Sequence, residues 1–290
     1  MTLRWLVVGA AGQLGTDLMK VLDGRSVVGL TRADLDITDS SAVVDAVRSA
    51  AADVVVNATA YTAVDAAETD EEAAAAANSL APGFLAAACA AAGSRFVHVS
   101  TDYVFAGDAT SPYDESAPTG PRSVYGRTKL AGEIAVVREL PSAYVVRTAW
   151  VYGASGNNFV KTMARLERDR ETVSVVDDQR GSPTWSFDLA RGLVALVESR
   201  AAGGVYHCTN SGETTWFGFT QAIFEELGAD SARVLPTTTD AFPRPAPRPA
   251  YSVLGNARWL ASGLPPMRPW RDALHEAFAV AGDSYRPSPA

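Results

Sequence analysis

The first residues that could do chemistry are a tyrosine and a lysine four positions apart, in Ser123-Val-Tyr125-Gly-Arg-Thr-Lys129. On a helix this spacing puts both side chains on one face, where they can act on one substrate. A phenol can supply the proton that a carbonyl oxygen takes up when the carbonyl is reduced. Because a free tyrosine has a pKa of about 10, we expect the charge of Lys129 to lower the pKa of Tyr125.

A second segment of this kind, His98-Val-Ser-Thr101-Asp102-Tyr103-Val-Phe, ends a predicted strand. Such a strand delivers a hydroxyl and a carboxylate to the carboxyl edge of a parallel sheet, where ligands bind. The Thr101 hydroxyl can donate a hydrogen bond to the same carbonyl oxygen that Tyr125 protonates. We therefore predict that Thr101, Tyr125 and Lys129 are catalytic.

Near the N-terminus, Leu6-Val-Val-Gly9-Ala-Ala-Gly12-Gln-Leu-Gly15 places three glycines between a predicted strand and a predicted helix. Gly9 permits a sharp turn, Gly12 lets the backbone approach a pyrophosphate, and Gly15 lets helix and strand pack closely. The helix N-terminus carries a partial positive charge that favours phosphate. The spacing G-x-x-G-x-x-G directly after the first strand predicts a dinucleotide site. The nicotinamide of that dinucleotide would carry the hydride, and its charge when oxidised would help to lower the pKa of Tyr125.

Two further segments are predicted to contact the dinucleotide. After the second strand, an acidic residue usually binds the ribose hydroxyls of NAD, but Arg32 occupies this neighbourhood. A guanidinium suits the 2′-phosphate of NADP, so we expect NADPH and leave NADH open; an exposed loop arginine is the alternative. Asp36 and Ile37 would lie beside the adenine. The small side chains of Asn57-Ala-Thr-Ala-Tyr-Thr62 suit close passage of the chain past the cofactor.

A parallel sheet is needed to bring these residues together, and the first half of the chain has its pattern. Short β-branched runs alternate with alanine-rich segments of helical period, which is typical of repeated βαβ units. The predicted strands are Leu3–Val8, Ser26–Leu30, Asp53–Asn57, Arg95–Ser100 and Ala143–Thr148. The predicted helices are Gly12–Leu22, Ser40–Ala50, Glu71–Ala92 and Ser123–Arg138.

We predict an α/β fold, a Rossmann-type doubly wound parallel sheet with a smaller mixed C-terminal substrate domain. Residues 1–150 would form the dinucleotide-binding domain, with added elements from about 185–215, and residues 151–290 mainly the substrate domain. From Val151 onward glycine, proline and tryptophan become frequent and the elements become shorter. The stretch Pro243-Arg-Pro-Ala-Pro-Arg-Pro249 is predicted to be an ordered loop near a ligand.

Composition argues against several classes of function. A net charge of −8 and a pI near 5.0 argue against nucleic-acid binding, which needs a clustered positive face. Cys89 and Cys208 are predicted to be reduced and structural, and His98, His207 and His275 have no metal-ligand spacing. The N-terminus has no signal-peptide pattern, and we find no apolar stretch near the roughly 20 residues of a spanning helix. We therefore expect a cytoplasmic protein without membrane contact.

Longer motifs carry a resemblance to a known family. They are Asn57-Ala-Thr-Ala-Tyr-Thr-Ala-Val-Asp-Ala-Ala-Glu68, Ser100-Thr-Asp-Tyr-Val-Phe105, Val124-Tyr-Gly-Arg-Thr-Lys-Leu-Ala-Gly-Glu133, Arg147-Thr-Ala-Trp-Val-Tyr-Gly153, Asn157-Asn-Phe159 and Asp178-Gln-Arg-Gly-Ser-Pro-Thr184. In these motifs, which are distributed over most of its length, the chain resembles the extended short-chain dehydrogenase/reductases, and among them those that reduce dTDP-linked keto sugars.

The resemblance implies NAD(P)H-dependent reduction of the C4 keto group of dTDP-4-dehydro-6-deoxy-L-mannose to dTDP-L-rhamnose. Thr101, Tyr125 and Lys129 would be catalytic, with Thr101 standing where many relatives have serine and Lys129 also holding the nicotinamide ribose. The dinucleotide would be lined by Gly12, Gln13, Leu14, Asp36, Ile37, Ala60, Tyr61 and Thr62. The sugar would be contacted by Thr101, Asp102 and Trp150, and the nucleotide diphosphate by Arg248.

The same family includes proteins with other functions, and single residues help to distinguish them. Related dehydratases carry an Asp-Glu pair after the threonine, whereas Asp102 is followed by Tyr103 here, so the dehydratase machinery is missing. A nucleotide-sugar epimerase shares the Tyr/Lys pair and remains an alternative. A non-catalytic, dinucleotide-binding regulatory subunit is a second alternative, although such subunits typically lose part of the catalytic set.

Acidic residues raise the question of a metal. Some related reductases pair through a magnesium ion, and Asp17 and Asp188 are the nearest candidates for its ligands. We favour exposed helix carboxylates instead and predict no metal in the site. The acidic run from Asp65 to Glu72 is predicted to complement a helix dipole. A monomer and a homodimer both stay open.

Overall fold

Valine-rich runs form the strands, because a parallel sheet with helices on both sides buries both of its faces. The computed structural model describes residues 3–285. Its strands are β1 Arg4–Val8, β2 Ser26–Leu30, β3 Val54–Asn57, β4 Arg95–Thr101, β5 Tyr144–Thr148, β6 Val151–Tyr152, β7 Val173–Val176, β8 Arg180–Gly181, β9 Thr184–Trp185, β10 Gly204–His207, β11 Thr214–Thr215 and β12 Val234–Thr237. Its helices are α1 Gln13–Val21, α2 Ser40–Ala50, α3 Val64–Ala67, α4 Glu71–Ala75, α5 Ala81–Ala92, α6 Val124–Glu139, α7 Phe159–Asp169, α8 Ser186–Ser199, α9 Trp216–Glu226, α10 Ala257–Ala261 and α11 Trp270–Tyr285.

Six strands form one parallel sheet in the order β10-β5-β4-β3-β1-β2. Helices α1 and α8 cover one face, and α2 and α5 cover the other. The direction of winding reverses between β1 and β3, and ligands bind beyond the carboxyl ends of the strands at such a reversal. The predicted doubly wound parallel sheet is confirmed.

The predicted helix Glu71–Ala92 is interrupted by a π-helical turn at Ala76–Leu80, between α4 and α5. This segment of 22 residues reaches a mean hydropathy of 1.4, so it passes the length and composition test for a spanning helix. The expectation that no apolar stretch approaches that length is therefore wrong here. Half of its most apolar window is buried, and α5 packs against α2 and α6. These contacts are those of a core helix.

A second apolar core is built from residues after 150. Tyr152, Phe219, Phe224 and Leu274 are among its buried members. Three two-stranded sheets surround it, formed by β6 with β9, β8 with β11 and β7 with β12. Helix α8 and strand β10 instead pack with the six-stranded sheet. Residues 286–290 lie outside the described residues, and the domain boundaries stay a prediction.

The two aspartates considered as metal ligands are buried, with 2% exposure for Asp17 and 5% for Asp188. Asp17 accepts hydrogen bonds from Ser186 Oγ at 2.5 Å and from Lys20 Nζ at 2.8 Å. Asp188 accepts hydrogen bonds from Asn210 Nδ2 and Arg268 Nη2, each at 2.8 Å. The interpretation of both as exposed helix carboxylates is therefore wrong. Within residues 3–285, no group of three or more His, Cys, Asp or Glu side chains could hold a metal ion.

The remaining cysteine and histidine predictions concern single side chains. Cys89 and Cys208 are buried free thiols, as expected. His98 and His207 are fully buried, and burial lowers the pKa of His207 to about 4. His275 lies on the surface beside Glu226. Two of the three histidines are therefore core residues and one is a surface residue.

Candidate active site

The turn between β1 and α1 brings backbone against backbone. Gly9 has a φ of +90°, which L residues rarely adopt. A Cβ on Gly15 would lie 2.0 Å from the carbonyl oxygen of Gly9, so strand and helix touch there. Gly12 precedes α1, and no side chain caps the first turn of that helix. Its first amide groups are therefore available to a phosphate, and the turn fits a dinucleotide pyrophosphate.

The side chains of Gln13 and Leu14 contact other parts of the protein. Gln13 Nε2 donates to the Val151 carbonyl at 3.0 Å, and Asn158 Nδ2 donates to Gln13 Oε1 at 3.0 Å. Leu14 is 8% exposed and packs in the core beside the sheet. The side chains of both residues are therefore engaged within the protein. Their backbone amides are the groups that can contact the pyrophosphate.

The segment after β2 is exposed. The side chains of Arg32 and Asp36 are open to solvent, and Ile37 is half-buried. Asp36 accepts hydrogen bonds from the Thr38 hydroxyl at 2.7 Å and the Thr38 amide at 2.9 Å, and these bonds lower the pKa of Asp36. An exposed guanidinium therefore follows β2, at the position expected for the adenine ribose.

The segment after β3 is held by an asparagine from the π-helical turn. Asn78 is 1% exposed; its Oδ1 accepts from the Tyr61 amide at 2.8 Å and its Nδ2 donates to the Tyr61 carbonyl at 3.1 Å. Ala60 and Thr62, on either side, are exposed. Sequence reasoning missed Asn78, because a π turn inside an alanine-rich helix has no periodic signal.

Helix α6, which carries the predicted tyrosine and lysine, has its start fixed by two side chains. The Gly126 amide donates to Ser123 Oγ at 3.1 Å, and the Val124 amide donates to Glu68 Oε1 at 2.8 Å. Glu68 thus stabilises the N-terminus of a different helix from the one expected for its acidic run. Caps of this kind set where a helix begins and which residues share a face.

Two glycines let α6 lie against its neighbours. A Cβ on Gly126 would be 2.3 Å from the carbonyl oxygen of Tyr103, which follows β4. A Cβ on Gly132 would be 2.1 Å from the carbonyl oxygen of Asn78 in the π-helical turn. The helix is therefore in backbone contact with both segments that border the sheet edge.

The three predicted catalytic side chains come together at this edge. Thr101 ends β4, and its hydroxyl donates to Asp102 Oδ1 at 2.9 Å. Lys129 is 2% exposed, and its Nζ donates to the Val99 carbonyl at 2.7 Å. Tyr125 is half-buried, lies close to the Thr101 side chain, and meets the Tyr103 ring edge-on at a centroid distance of 5.4 Å.

Burial dominates the electrostatics of Tyr125 and Lys129. It raises the pKa of Tyr125 to about 12; the neighbouring Thr101 hydroxyl opposes this rise, and the Asp102 charge adds to it. It lowers the pKa of Lys129 to about 8, with Glu133 opposing that change. The protein's own groups therefore raise the pKa of Tyr125, contrary to the expectation from Lys129. At neutral pH the phenol keeps its proton and the lysine keeps its charge.

Asp102 and Trp150 lie at neighbouring strand ends. Thr101 pairs in register with Thr148 of β5, and Trp150 follows two residues later. Asp102 is 3% exposed, and burial raises its pKa to about 6, opposed by the hydrogen bond from the Thr101 hydroxyl. Trp150 is half-buried and has a φ of +47°. Both predicted sugar contacts are thus within the group of strand ends that includes Thr101.

Arg248 belongs to the Pro/Arg loop and is hydrogen-bonded to Asp65 of α3. Its Nη2 donates to Asp65 Oδ1 at 2.8 Å, and Arg244 of the same loop binds the other oxygen at 2.5 Å. Asp65 therefore does more than complement a helix dipole. A cavity of about 140 Å³ opens beside Arg248, lined also by Tyr103, Phe105, Ser123 and Pro249.

A buried ion pair lies one helical turn beyond Lys129. Arg147 Nε and Nη2 donate to the Glu133 carboxylate at 2.9 and 2.7 Å, and Ser100 Oγ donates to it at 2.5 Å. Both charged side chains are 5% exposed. Sequence reasoning gave neither residue a role, although both stand in the motifs that carried the family resemblance. The pair fixes α6 to β4 and β5 behind the catalytic side chains.

Comparisons show that the chain is similar to known proteins over almost its whole length. The dTDP-4-dehydrorhamnose reductase of Streptomyces griseus is 54% identical over 99% of this chain and 97% of its own length. A probable dTDP-4,6-dihydroxy-2-methyloxan-3-one 4-ketoreductase of Streptomyces antibioticus is 51% identical over 95% of both chains. The crystal structure of dTDP-4-dehydrorhamnose reductase from Bacillus anthracis in complex with NADP is 37% identical, with a TM-score of 0.94 over 97% of this chain and 100% of that one.

A family model described as the RmlD substrate binding domain matches residues 3–282. This match spans almost the whole chain and includes the glycine turn, strand β4, helix α6 and the Pro/Arg loop. The resemblance inferred from the motifs is confirmed. The chain belongs to the RmlD substrate binding domain family.

Proposed function

We propose that this chain uses NADPH to reduce the C4 keto group of dTDP-4-dehydro-6-deoxy-L-mannose, giving dTDP-L-rhamnose. The observation that carries the proposal is the convergence of Thr101, Tyr125 and Lys129 at the carboxyl edge of the sheet, beside a turn that fits a dinucleotide. Full-length similarity to proteins named dTDP-4-dehydrorhamnose reductase supports the same reaction.

The proton would come from Tyr125. Bound NADPH supplies the hydride that forms the new C–H bond at the carbonyl carbon. As that bond forms, the oxygen gains negative charge, and the Tyr125 hydroxyl transfers its proton to it to give the alcohol. Thr101 donates a hydrogen bond to the same oxygen, and the Lys129 charge stabilises the tyrosinate left behind. Solvent then returns a proton to Tyr125.

The remaining predicted residues would bind the two ligands. Gly9, Gly12 and Gly15 hold the pyrophosphate, and Arg32 meets the 2′-phosphate of NADPH, which favours it over NADH. On the substrate side, Asp102 and Trp150 contact the sugar. Arg248 binds the nucleotide diphosphate next to the cavity. In this proposal, the core formed after residue 150 supplies the substrate domain.

The test mixes the protein with NADPH and the ketosugar and follows the loss of reduced-nicotinamide absorbance. We expect turnover by the wild type and a loss of roughly 1,000-fold in Tyr125→Phe, because the proton donor is removed. Tyr144→Phe is the control, since its hydroxyl binds the Ala201 carbonyl away from the site. Reduction of a GDP- or UDP-linked ketosugar, with none of the dTDP compound, would contradict the assigned substrate.

A second candidate is reduction of another dTDP-linked 4-keto sugar, and the Streptomyces antibioticus relative favours it. The protein would be given a panel of dTDP-4-keto sugars, and the configuration of each alcohol would be determined. A higher kcat/KM for a different keto sugar would make that sugar the assigned substrate and leave the type of reaction unchanged. Tightly held NAD⁺ in the purified protein would instead favour an epimerase.

A further inference from the structure

The indole of Trp150 is covered on one face by a second indole. The rings of Trp150 and Trp216 are stacked at a centroid distance of 3.5 Å and an angle of 7°. At this distance the rings overlie each other without lateral offset, so no other group fits between them. Trp216 is itself supported from behind by the Phe159 ring, at a centroid distance of 4.4 Å.

The other face of Trp150 is covered by backbone. A Cβ on Gly181 would lie 2.4 Å from Cε2 of Trp150 and 2.6 Å from both Cζ2 and Nε1. Such a point lies above the ring, since Cε2 is the nearest atom and its two neighbours in the ring are almost as close. Because Trp216 fills one face, Gly181 must lie against the other.

Both faces of the indole are thus covered. The exposed part of this half-buried side chain is therefore the edge of the ring. This packing matters because Trp150 has a φ of +47°, a conformation that L residues rarely adopt without support. The residue follows β5 close to Thr101 of the neighbouring strand. A substrate held at Thr101 and Tyr125 would therefore meet the edge of the indole.

We propose that Trp216 is a positioning residue for the sugar, which acts with Gly181 to fix the edge of Trp150 against the substrate. The inference rests on the proposed function and extends it to two residues that do not touch the reacting atoms. Gly181 supplies the space on one face, and Trp216 supplies the flat support on the other.

The experiment measures kcat and both KM values in four variants. We expect Trp216→Leu to raise the KM for the dTDP-ketosugar roughly tenfold or more, because the indole edge becomes mobile, while the KM for NADPH stays within about twofold. Trp216→Phe keeps an aromatic support and should hold the ketosugar KM within about threefold. Gly181→Ala drives a methyl group into the ring and should reproduce the Leu phenotype with Trp216 intact.

Trp270→Leu is the matched control. Trp270 is equally half-buried in the same core and contacts Phe219 edge-on, without stacking on Trp150. It should lower the melting temperature and leave the ketosugar KM unchanged. An unchanged ketosugar KM in both Trp216→Leu and Gly181→Ala would overturn the inference, as would a parallel rise of both KM values in the control. A wild type that reduces no dTDP-4-keto sugar would instead overturn the proposed function, and this inference with it.

Discussion

Burial acts on the two titratable groups of α6 in opposite directions. It raises the pKa of Tyr125 to about 12 and lowers that of Lys129 to about 8. Between these values the phenol is a neutral acid, whereas the lysine is losing its charge. In the proposed reaction, we therefore expect the alkaline limit to come from Lys129 and not from Tyr125. Asp102, with a pKa of about 6, changes charge at a pH below this range.

We expect kcat/KM for ketosugar reduction to follow a bell-shaped pH profile. It should fall as the pH rises through about 8, because Lys129 deprotonates, and fall as the pH drops through about 6, because Asp102 gains a proton. Initial rates from pH 5 to 10 would show both limbs, since kcat/KM reports the free protein. Asp102→Asn should remove the acid limb and keep the alkaline one. An alkaline limb only near pH 10 would contradict the role given to Lys129.

Arg32 allows a separate prediction about the cofactor. Because its guanidinium is exposed after β2, Arg32→Ala should lower kcat/KM with NADPH by roughly tenfold, the effect of one exposed charge-assisted hydrogen bond. The value with NADH should change little. Arg48→Ala is the control, since this exposed arginine of α2 pairs with Asp45. An equal loss with both cofactors would refute recognition of the 2′-phosphate.

At the scale of elements, the position of α6 follows from what it touches. Gly126 meets the segment after β4, and Gly132 meets the π-helical turn that holds the Tyr61 segment through Asn78. The Glu133–Arg147 pair attaches the same helix to β5. One helix thus connects the side chains predicted to be catalytic with the segment predicted to line the dinucleotide.

Gly132→Ala should therefore act on stability and cofactor binding together. The added methyl group would lie 2.1 Å from a backbone carbonyl that cannot rotate away, so we expect a loss of roughly 1–3 kcal/mol. The π turn should shift, and NADPH should bind more weakly. Gly282→Ala in α11 meets nothing within 4 Å and should be neutral or slightly stabilising. Thermal melts and cofactor titrations of both variants provide the measurement.

The elements also show which parts of the structure a sequence can predict. Strand β2 and helix α2 have the predicted bounds, because hydrophobic period and the Asp39 cap act over a few neighbouring residues. The π turn and the left-handed backbone of Trp150 were not predicted, since each depends on packing against distant residues. The same reason explains Asp17, whose burial under Ser186 joins segments 169 positions apart. In the candidate site, the catalytic motif was local, whereas its supports at Asn78 and Arg147 were not.

At the scale of the whole molecule, a few polar contacts join the sheet to the later segments. Gln13 at the start of α1 binds Val151 and Asn158. Asp65, which follows the segment after β3, binds Arg244 and Arg248 of the Pro/Arg loop. In the proposed function, each contact joins a segment assigned to the dinucleotide with one assigned to the nucleotide sugar. The two ligands are therefore expected to stabilise a common arrangement of the chain.

Asp65→Asn tests this connection. Burial opposes ionisation of Asp65, but the bonds from Arg244, Ala246 and Arg248 lower its pKa, so the carboxylate is charged at neutral pH. Without that charge the Pro/Arg loop should loosen, and Arg248 should be less well placed for a diphosphate.

A ligand that binds the folded form raises its stability by roughly 2.7 kcal/mol at 100 times Kd. In thermal melts of the wild type, NADPH and dTDP should each raise the melting temperature. In Asp65→Asn the increment from dTDP should shrink while that from NADPH persists, whereas Asp240→Asn, at an exposed position near the same loop, should keep both increments. If the variant retains the full dTDP increment, the diphosphate does not depend on the Asp65–Arg248 contact, and Arg248 loses its assigned role.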